Sequence, residues 1–313
     1  MLPELFGIPT YLILALLGFA AAFVLAMFRR NAYEYRVIDL VAMLCASILG
    51  IVVGARLLFI ITEIPALIDH NFSWEIIESR VINGGLVFYG GLIGALLCIY
   101  FLAKYLKLDA KKTLNFVCPC YTIFHAFGRI GCLLGGCCYG VASDVGVLMP
   151  HTFADGTVRY VTSVPVQLYE AIALVLITAI LLLVEADDIK KGKESGLLPL
   201  YIALYAPARF VLEIWRGDVL RGVFDFSFKY ATEDGSLAGR FSLSTSQIIS
   251  LLLIIALLIY LGYKHALAKQ TKKLVNKDED SGAVCELCAE ELPEAEEIKP
   301  FDAENAANEN KQD

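Results

Sequence analysis

The sequence predicts an all-α integral membrane protein of seven transmembrane helices, with its N-terminus outside and small β-hairpin loops on the outer face. Three observations carry this expectation. Hydrophobic residues make up 58% of the 313 residues and charged ones only 19%, against about a quarter charged in soluble domains. The mean hydropathy is +0.64. Seven apolar runs, near 8–28, 38–62, 84–103, 113–136, 165–185, 197–216 and 246–263, match the roughly 20 residues a helix needs to cross a bilayer core.

The first run follows "MLPELFGIPT", which has no basic segment and no small-residue cleavage site, so it reads as a retained span and not a signal peptide. The second carries Gly50 and Gly54 as a GxxxG pair and the third crowds Gly90, Gly91 and Gly94. Glycines at such spacing let helix backbones approach closely. The fourth, fifth and sixth runs hold ionisable residues, taken up below. Between the fourth and fifth, "VLMPHTFADGTVRYVTSV" places β-prone residues on both sides of Asp155-Gly156. Between the sixth and seventh, "GVFDFSFKYATEDGSLAGRFSLST" does the same around Asp234-Gly235. Both read as hairpins.

Orientation follows from lysine and arginine. With the N-terminus outside, the inner segments hold Arg29, Arg30 and Arg36; Lys104, Lys107, Lys111 and Lys112; Lys190, Lys191 and Lys193; and Lys264, Lys269, Lys272, Lys273 and Lys277. The outer segments hold only Arg80, Arg159, Arg221, Lys229 and Arg240. Basic residues concentrate in cytoplasmic loops, so the C-terminus is expected inside. Domain organisation is then a seven-helix transmembrane domain over 1–265 and a cytoplasmic tail over 266–313. That tail is acidic and poor in large apolar residues, hence expected to be largely disordered. The net charge of -7 mostly reflects it, and no basic, aromatic segment points to nucleic acid.

Nine cysteines cannot all pair. They fall in helices (Cys45, Cys98, Cys118, Cys120, Cys132), near an outer helix end (Cys137, Cys138) and in the tail (Cys285, Cys288), which is no secreted disulfide scaffold. The tail's "CELC" lacks a second ligand pair, so a zinc site there needs another chain or partner.

Ionisable side chains at bilayer depth cost about 2.5–3.5 kcal/mol each on insertion scales, and they mark function by default. This chain keeps Arg56, His125, Arg129, Glu170, Arg209, Glu213 and Arg216 there. Arg209 and Glu213 share a helix face at i, i+4 and read equally as a structural pair. His125, Arg129 and Cys132, at i, i+4 and i+7, put an imidazole, a guanidinium and a thiol on one face. Arg129 has no acidic residue one turn away in its own helix. Its charge calls for a carboxylate from another helix, Glu170 or Glu213, or for a ligand anion, and a phospholipid phosphate fits a guanidinium well. His125 and Cys132 are separated by a rise of about 10 Å, too far to share one zinc ion, so no metal site and no cofactor are expected.

These residues also carry a resemblance. "GRIGCLLGGCCYG", residues 128–140, resembles the signature of the prolipoprotein diacylglyceryl transferases, whose usual form is G-R-x-G-N-F-x-N-G-E-x-x-G. "TYLILALLGF", "GARLLFI", "GGLVFYGGLIG", "PVQLYEA", "ARFVLEIWRGD" and "LSTSQIISL" follow in the family's order, so the likeness covers roughly residues 5–265. It implies a multi-pass protein of the bacterial plasma membrane, a monomer sufficing. Its implied partners are phosphatidylglycerol and prolipoprotein signal peptides. The implied reaction moves a diacylglyceryl group to the lipobox cysteine thiol and releases glycerol phosphate. The resemblance implies lipid binding by Arg129, Arg209, Tyr11, Gly128, Gln167, Tyr169 and Glu170. It puts Tyr89 where the family has a histidine, while Cys132, Gly135 and Cys137 replace the signature's two asparagines and its glutamate, and "VPV" replaces H-P-S before Q-L-Y-E.

The implied chemistry needs a thiolate from a thiol of pKa near 8.5 and stabilisation of a departing phosphate. Arg129 and Arg209 suit the second task. Catalytic roles fall to Tyr89, which orients or deprotonates the acceptor, to Arg209 and Glu213, and to His125 as auxiliary base. Two alternatives stay open: a non-catalytic member that binds phospholipid or lipoprotein, motivated by the absent histidine, and a membrane thiol-redox protein, motivated by Cys118-Pro119-Cys120 and Cys137-Cys138. The two cysteine pairs lie about 25 Å apart along the helix, which leaves no evident relay.

Overall fold

The computed structural model describes residues 4–69, 73–78, 85, 87–152, 157–217, 223–226 and 241–281. Its long helices are α1 (Thr10–Arg29), α2 (Val37–Asp69), α3 (Phe88–Tyr105), α4 (Ala110–Gly135), α5 (Val166–Lys190), α6 (Leu197–Leu212) and α7 (Thr245–Ser281). Among the described residues, six stretches are long and apolar enough to cross a membrane, within α1, α2, α4, α5, α6 and α7, and Gly90–Tyr105 of α3 is a shorter apolar helix. The chain divides into two units, Met1–Leu257 and Leu258–Asp313. The described part of the second is helix alone. Helix α7 runs on to Ser281, past the expected domain boundary at 265, and the rest of the tail lies outside the described residues. Residues such as Leu267, Ala268 and Lys269 are good helix formers, and no Gly or Pro follows until Gly282.

Local chemistry sets the boundaries. Helix α1 begins at Thr10 because Glu4–Leu5 (β1) and Ile8–Pro9 (β2) pair as a hairpin. Phe6 and Gly7, with φ of 54° and 74°, supply the two left-handed residues of a tight turn. Asp109 caps α4, its side chain accepting the Lys112 N–H at 2.7 Å. Strands β3 (Ala142–Thr152) and β4 (Val158–Ser163) pair with Thr152 opposite Val158, and β5 (Val223–Phe226) and β6 (Phe241–Ser244) with Phe226 opposite Phe241. These registers enclose both predicted Asp-Gly turns, which themselves lie outside the described residues.

Helix α4 is central and packs against α1, α3, α5 and α6. Within their apolar stretches 44% of residues are buried in both α4 and α5, against 11% in that of α1, so α4 and α5 form the interior. Polar side chains collect there, leaving apolar faces outward. The glycines of α2 and α3 interlock as the spacing predicts. A Cβ on Gly54 would lie 2.2 Å from the Gly90 carbonyl oxygen, and one on Gly94 2.2 Å from that of Gly50. Backbone faces backbone, with no flexible side chain to yield. Gly54→Val should therefore lower the melting temperature of the detergent-purified protein by an amount equivalent to about 1–3 kcal/mol. Gly262→Ala, at a helical glycine with nothing within 4 Å, should leave it unchanged or raise it.

Candidate functional site

Three helices deliver charge to one point. Glu170, the fifth residue of α5, is fully buried. Its Oε1 lies 3.1 Å from Arg129 Nη2 on α4, and its Oε2 lies 3.6 Å from Arg209 Nη1 on α6. Tyr205 donates its hydroxyl hydrogen to Oε1 at 2.8 Å. Arg209 Nη2 is 2.6 Å from Glu213 Oε2 and donates to Ser246 Oγ at 3.2 Å, at the start of α7. The spacing-based pair Arg209–Glu213 is thus real, and it belongs to a larger cluster in which two arginines and two glutamates cancel formally. Between the two carboxylates open to it, Arg129 takes Glu170.

His125 sits one turn below Arg129, and Arg129 Nε donates to its Nε2 at 3.3 Å. The nitrogen a general base would use is therefore already an acceptor, and Glu170 Oε1 lies 3.9 Å from it. Around His125 stand Tyr121 and Tyr205, with ring centroids at 5.7 and 5.5 Å, and Tyr201 stacks on Tyr205 at 5.3 Å. This aromatic bed closes the cluster from below. The sequence held a signal for it, because Tyr201, Tyr205, Arg209 and Glu213 recur every four residues along one helix face. Ser246 had no such signal.

The other expected residues separate. Gln167 is fully buried and donates to the Cys137 carbonyl at 2.7 Å, so it ties the start of α5 to the signature loop. Tyr11 packs its ring on Gly131, where a Cβ would meet it at 3.1 Å, beside the Arg129–Cys132 turn. Gly128 meets nothing within 4 Å. Tyr169 is nearly half exposed and is rotated about 100° around α5 from Glu170. Tyr89 is the second residue of α3, and its side chain lies outside the description. The tail cysteines Cys285 and Cys288 also lie outside the described residues.

The signature ends in a knot of backbone. Val141 N–H donates to Trp215 O at 2.9 Å, Gly217 N–H to Tyr139 O at 3.1 Å, and Val164 N–H to Val141 O at 3.1 Å. A Cβ on Gly140 would lie 2.4 Å from the Val164 carbonyl oxygen, so only glycine fits there. The knot fixes the ends of α4, α5 and α6 against one another, and with them Arg129, Glu170 and Glu213. Next to the cluster, an apolar cavity of about 530 Å³ runs between α1, α2, α3 and α4, lined by Tyr11, Phe19, Leu92, Tyr121 and Phe124 among others.

A second buried ion pair was missed. Arg29, counted among the basic residues of the inner segments, is 8% exposed. Its Nε donates to Glu185 Oε2 at 2.6 Å, its Nη2 contacts Oε1, and its Nη1 donates to Phe116 O at 2.6 Å. Tyr33 adds a hydroxyl to the same carboxylate at 2.5 Å. The Cys118-Pro119-Cys120 thiols diverge: Cys118 packs with Leu181 and Leu197, while Cys120 packs with Phe116 and Tyr33. That arrangement offers no redox pair.

The family profile described as prolipoprotein diacylglyceryl transferase matches residues 2–263. The chain belongs to the prolipoprotein diacylglyceryl transferase family. A phosphatidylglycerol–prolipoprotein diacylglyceryl transferase of Clostridium tetani is 33% identical over 258 residues, covering 80% of this chain and 92% of that protein. A second such transferase, from Clostridium perfringens, is 29% identical over 272 residues, covering 83% and 93%. One from Solidesulfovibrio magneticus is 30% identical over 211 residues, covering 66% and 76%. The family match makes the protein a transferase of lipoprotein biogenesis.

Removing the shared carboxylate leaves two buried guanidinium groups facing each other. Glu170→Gln should destabilise the protein by about 3–5 kcal/mol, and Tyr205→Phe, which removes one hydrogen bond to a charged group, by about 1.5–3 kcal/mol. Thermal unfolding in detergent should show that order; an unshifted Glu170→Gln transition would remove Glu170 from its bridging role.

Proposed function

We propose that, in moving a diacylglyceryl group from phosphatidylglycerol to the lipobox cysteine of a prolipoprotein, the protein holds the lipid phosphate on Arg129 and Arg209. The observation that carries this is their convergence, from two helices, on one buried carboxylate beside an apolar cavity. Arg209 Nη1 is buried and makes no hydrogen bond among the described residues. A guanidinium has five N–H donors, so Arg129, after serving Glu170 and His125, keeps donors for an anion. These donors are already ordered, and so need no rearrangement as the C–O bond breaks and negative charge gathers on the departing phosphate. The apolar cavity suits an acyl chain, and Tyr11 lies where cavity and headgroup site meet.

In this reading Glu170, Gln167, Tyr205 and Glu213 position the clamp. His125 orients Arg129 through its Nε2, and Tyr89, aligned in sequence with the family's histidine, is given the role of orienting the acceptor. All seven long helices cross the bacterial plasma membrane, with the N-terminus and the hairpins outside and α7 leading to the cytoplasm. The Lys and Arg distribution supports that orientation. The absent histidine favours a second reading, binding without turnover.

One assay separates the two. The purified protein in phosphatidylglycerol vesicles, given a lipobox peptide, should yield a thioether-linked diacylglyceryl peptide and glycerol phosphate, and the gene should rescue a strain depleted of its own transferase. Arg129→Gln and Arg209→Gln should each lower kcat/KM by about 10²–10³-fold, the loss seen when one preorganised donor to a developing anion is removed. Arg129→Lys, which keeps charge without the bidentate fork, should recover part of it. A wild-type rate in Arg129→Gln would overturn the clamp, and binding without product would leave the second reading.

A further inference from the structure

The clamp accounts for the leaving group but leaves the acceptor thiol without an activating partner, and the same signature holds three thiols. Helix α4 stops at Gly136, whose φ is 73°. Gly136 N–H donates to Leu133 O at 3.3 Å and Cys137 N–H to Cys132 O at 3.1 Å. This is the paired hydrogen-bond pattern of a Schellman cap, which lays the second residue past the helix end over the one five positions earlier. Cys137 is thereby set on Cys132. Cys138 then adopts φ 62°, a left-handed conformation that non-glycine residues rarely take, and it joins the other two instead of carrying its side chain away. The three sulfurs lie within 4.8 Å of one another, and among the described residues no histidine or carboxylate joins them. Gln167 holds the loop through the Cys137 carbonyl.

We propose that Cys132, Cys137 and Cys138 form a three-thiolate Zn²⁺ site whose fourth position takes the acceptor cysteine of the prolipoprotein as its thiolate; this deepens the transferase reading and rests on it. Zinc bound to thiolates at about 2.3 Å in a tetrahedron sets neighbouring sulfurs about 3.8 Å apart. The observed spacing closes to that with side-chain shifts of about 1 Å. Three protein ligands with one exchangeable position is the arrangement of zinc sites that act on substrates, whereas structural sites close all four. Cys137 is exposed and Cys132 and Cys138 partly so, which gives the fourth position access from outside. Cys132 follows Arg129 by three residues, on the neighbouring turn of α4, so a thiol held there is next to the phosphate clamp. Relative to the family signature, this chain replaces a histidine at 89, an asparagine at 132 and a glutamate at 137, and gains soft ligands at the last two of those positions.

The step balances without an oxidant. The incoming thiol gives its proton to water on coordination, because a metal-bound thiol is deprotonated. Its sulfur attacks the diacylglyceryl carbon that bears the phosphate ester. The C–S bond forms, the C–O bond breaks, and the electron pair leaves on the phosphate oxygen beside Arg129 and Arg209, where glycerol phosphate regains one proton from water. The thioether is neutral and a weak ligand, so it leaves the metal.

The test uses the full chain purified in detergent under reducing conditions. It should carry one zinc per chain, and the Co²⁺-substituted protein should show thiolate-to-metal absorption in the near ultraviolet. A lipobox peptide should shift those bands, and its Cys→Ser form should not. Cys132→Ser, Cys137→Ser and Cys138→Ser should each abolish the three-thiolate spectrum, while Cys45→Ser, in α2, should keep it; elution volume and helical circular dichroism confirm folding. Chelation should lower thioether formation about tenfold or more, within the range lost when an activating catalyst is removed, and Zn²⁺ should restore it. Full-rate product from metal-free protein, a Co²⁺ spectrum indifferent to Cys137→Ser, or isolation of the cluster as a disulfide would each overturn the site while leaving the transferase reading intact. Peptide-responsive Co²⁺ bands without any thioether product would do the reverse.

Discussion

Two guanidinium groups inside an apolar bundle repel unless a negative charge stands between them, and the carboxylate of Glu170 fills that place. It is reached by Arg129 from α4 and Arg209 from α6, and Tyr205 donates to its Oε1. Burying each ion costs several kcal/mol after relaxation, an expense recovered only when geometry and hydrogen bonding are both good. That condition makes the positions of the three helices interdependent. It also keeps the arginines separated and oriented, as the proposed phosphate clamp requires.

The second ion pair explains how so much polarity is tolerated in α5. Glu170 and Glu185 lie fifteen residues apart on this helix, a rise of about 22 Å, so α5 carries a buried acid near each end. The first is held by α4 and α6, the second by Arg29 of α1 with the Phe116 carbonyl of α4. Helix α1 is thus anchored at its far end by charge, while near its start Tyr11 rests on Gly131. Between these two attachments, α1 borders an apolar cavity and exposes most of its surface. A groove that admits a lipid chain needs such a wall, fixed at its ends and apolar along its length. On the opposite wall, the glycine contacts of α2 and α3 bring two backbones together, so that pair moves as one piece.

Much of this was legible from the residues, and the misses have physical causes. Apolar run length located the helices, since bilayer thickness leaves little freedom, and i, i+4 spacing found Arg209–Glu213 and the His125–Arg129 face because a helix determines its own neighbours. Gly50, Gly54, Gly90 and Gly94 announced a close contact, though not which helices would meet. Arg29–Glu185 escaped because it joins residues far apart in sequence, and an arginine at a helix end looks the same whether it faces water or a carboxylate. Tyr205 was missed although its repeat was visible, since tyrosine on an apolar face is ordinary packing until its hydroxyl is seen to meet Glu170. The cysteine cluster escaped for a different reason. Helical spacing describes only residues up to the last turn, and the sulfurs converge after it, through two left-handed residues, Gly136 and Cys138, on either side of Cys137.

The signature thus has two parts under unlike constraints. Arg129 belongs to a buried charge network: replacing it strands Glu170, and replacing Glu170 strands two arginines, so these positions can change only together. Cys132, Cys137 and Cys138 belong to a helix cap in which Cys137 is exposed and the other two are half-buried, and whose shape the backbone hydrogen bonds hold. Polar groups can there be exchanged for thiols at little cost to the fold. The residues proposed to activate the acceptor are therefore freer to differ from the family's usual form, while those proposed to receive the phosphate are locked into the packing of α4, α5 and α6.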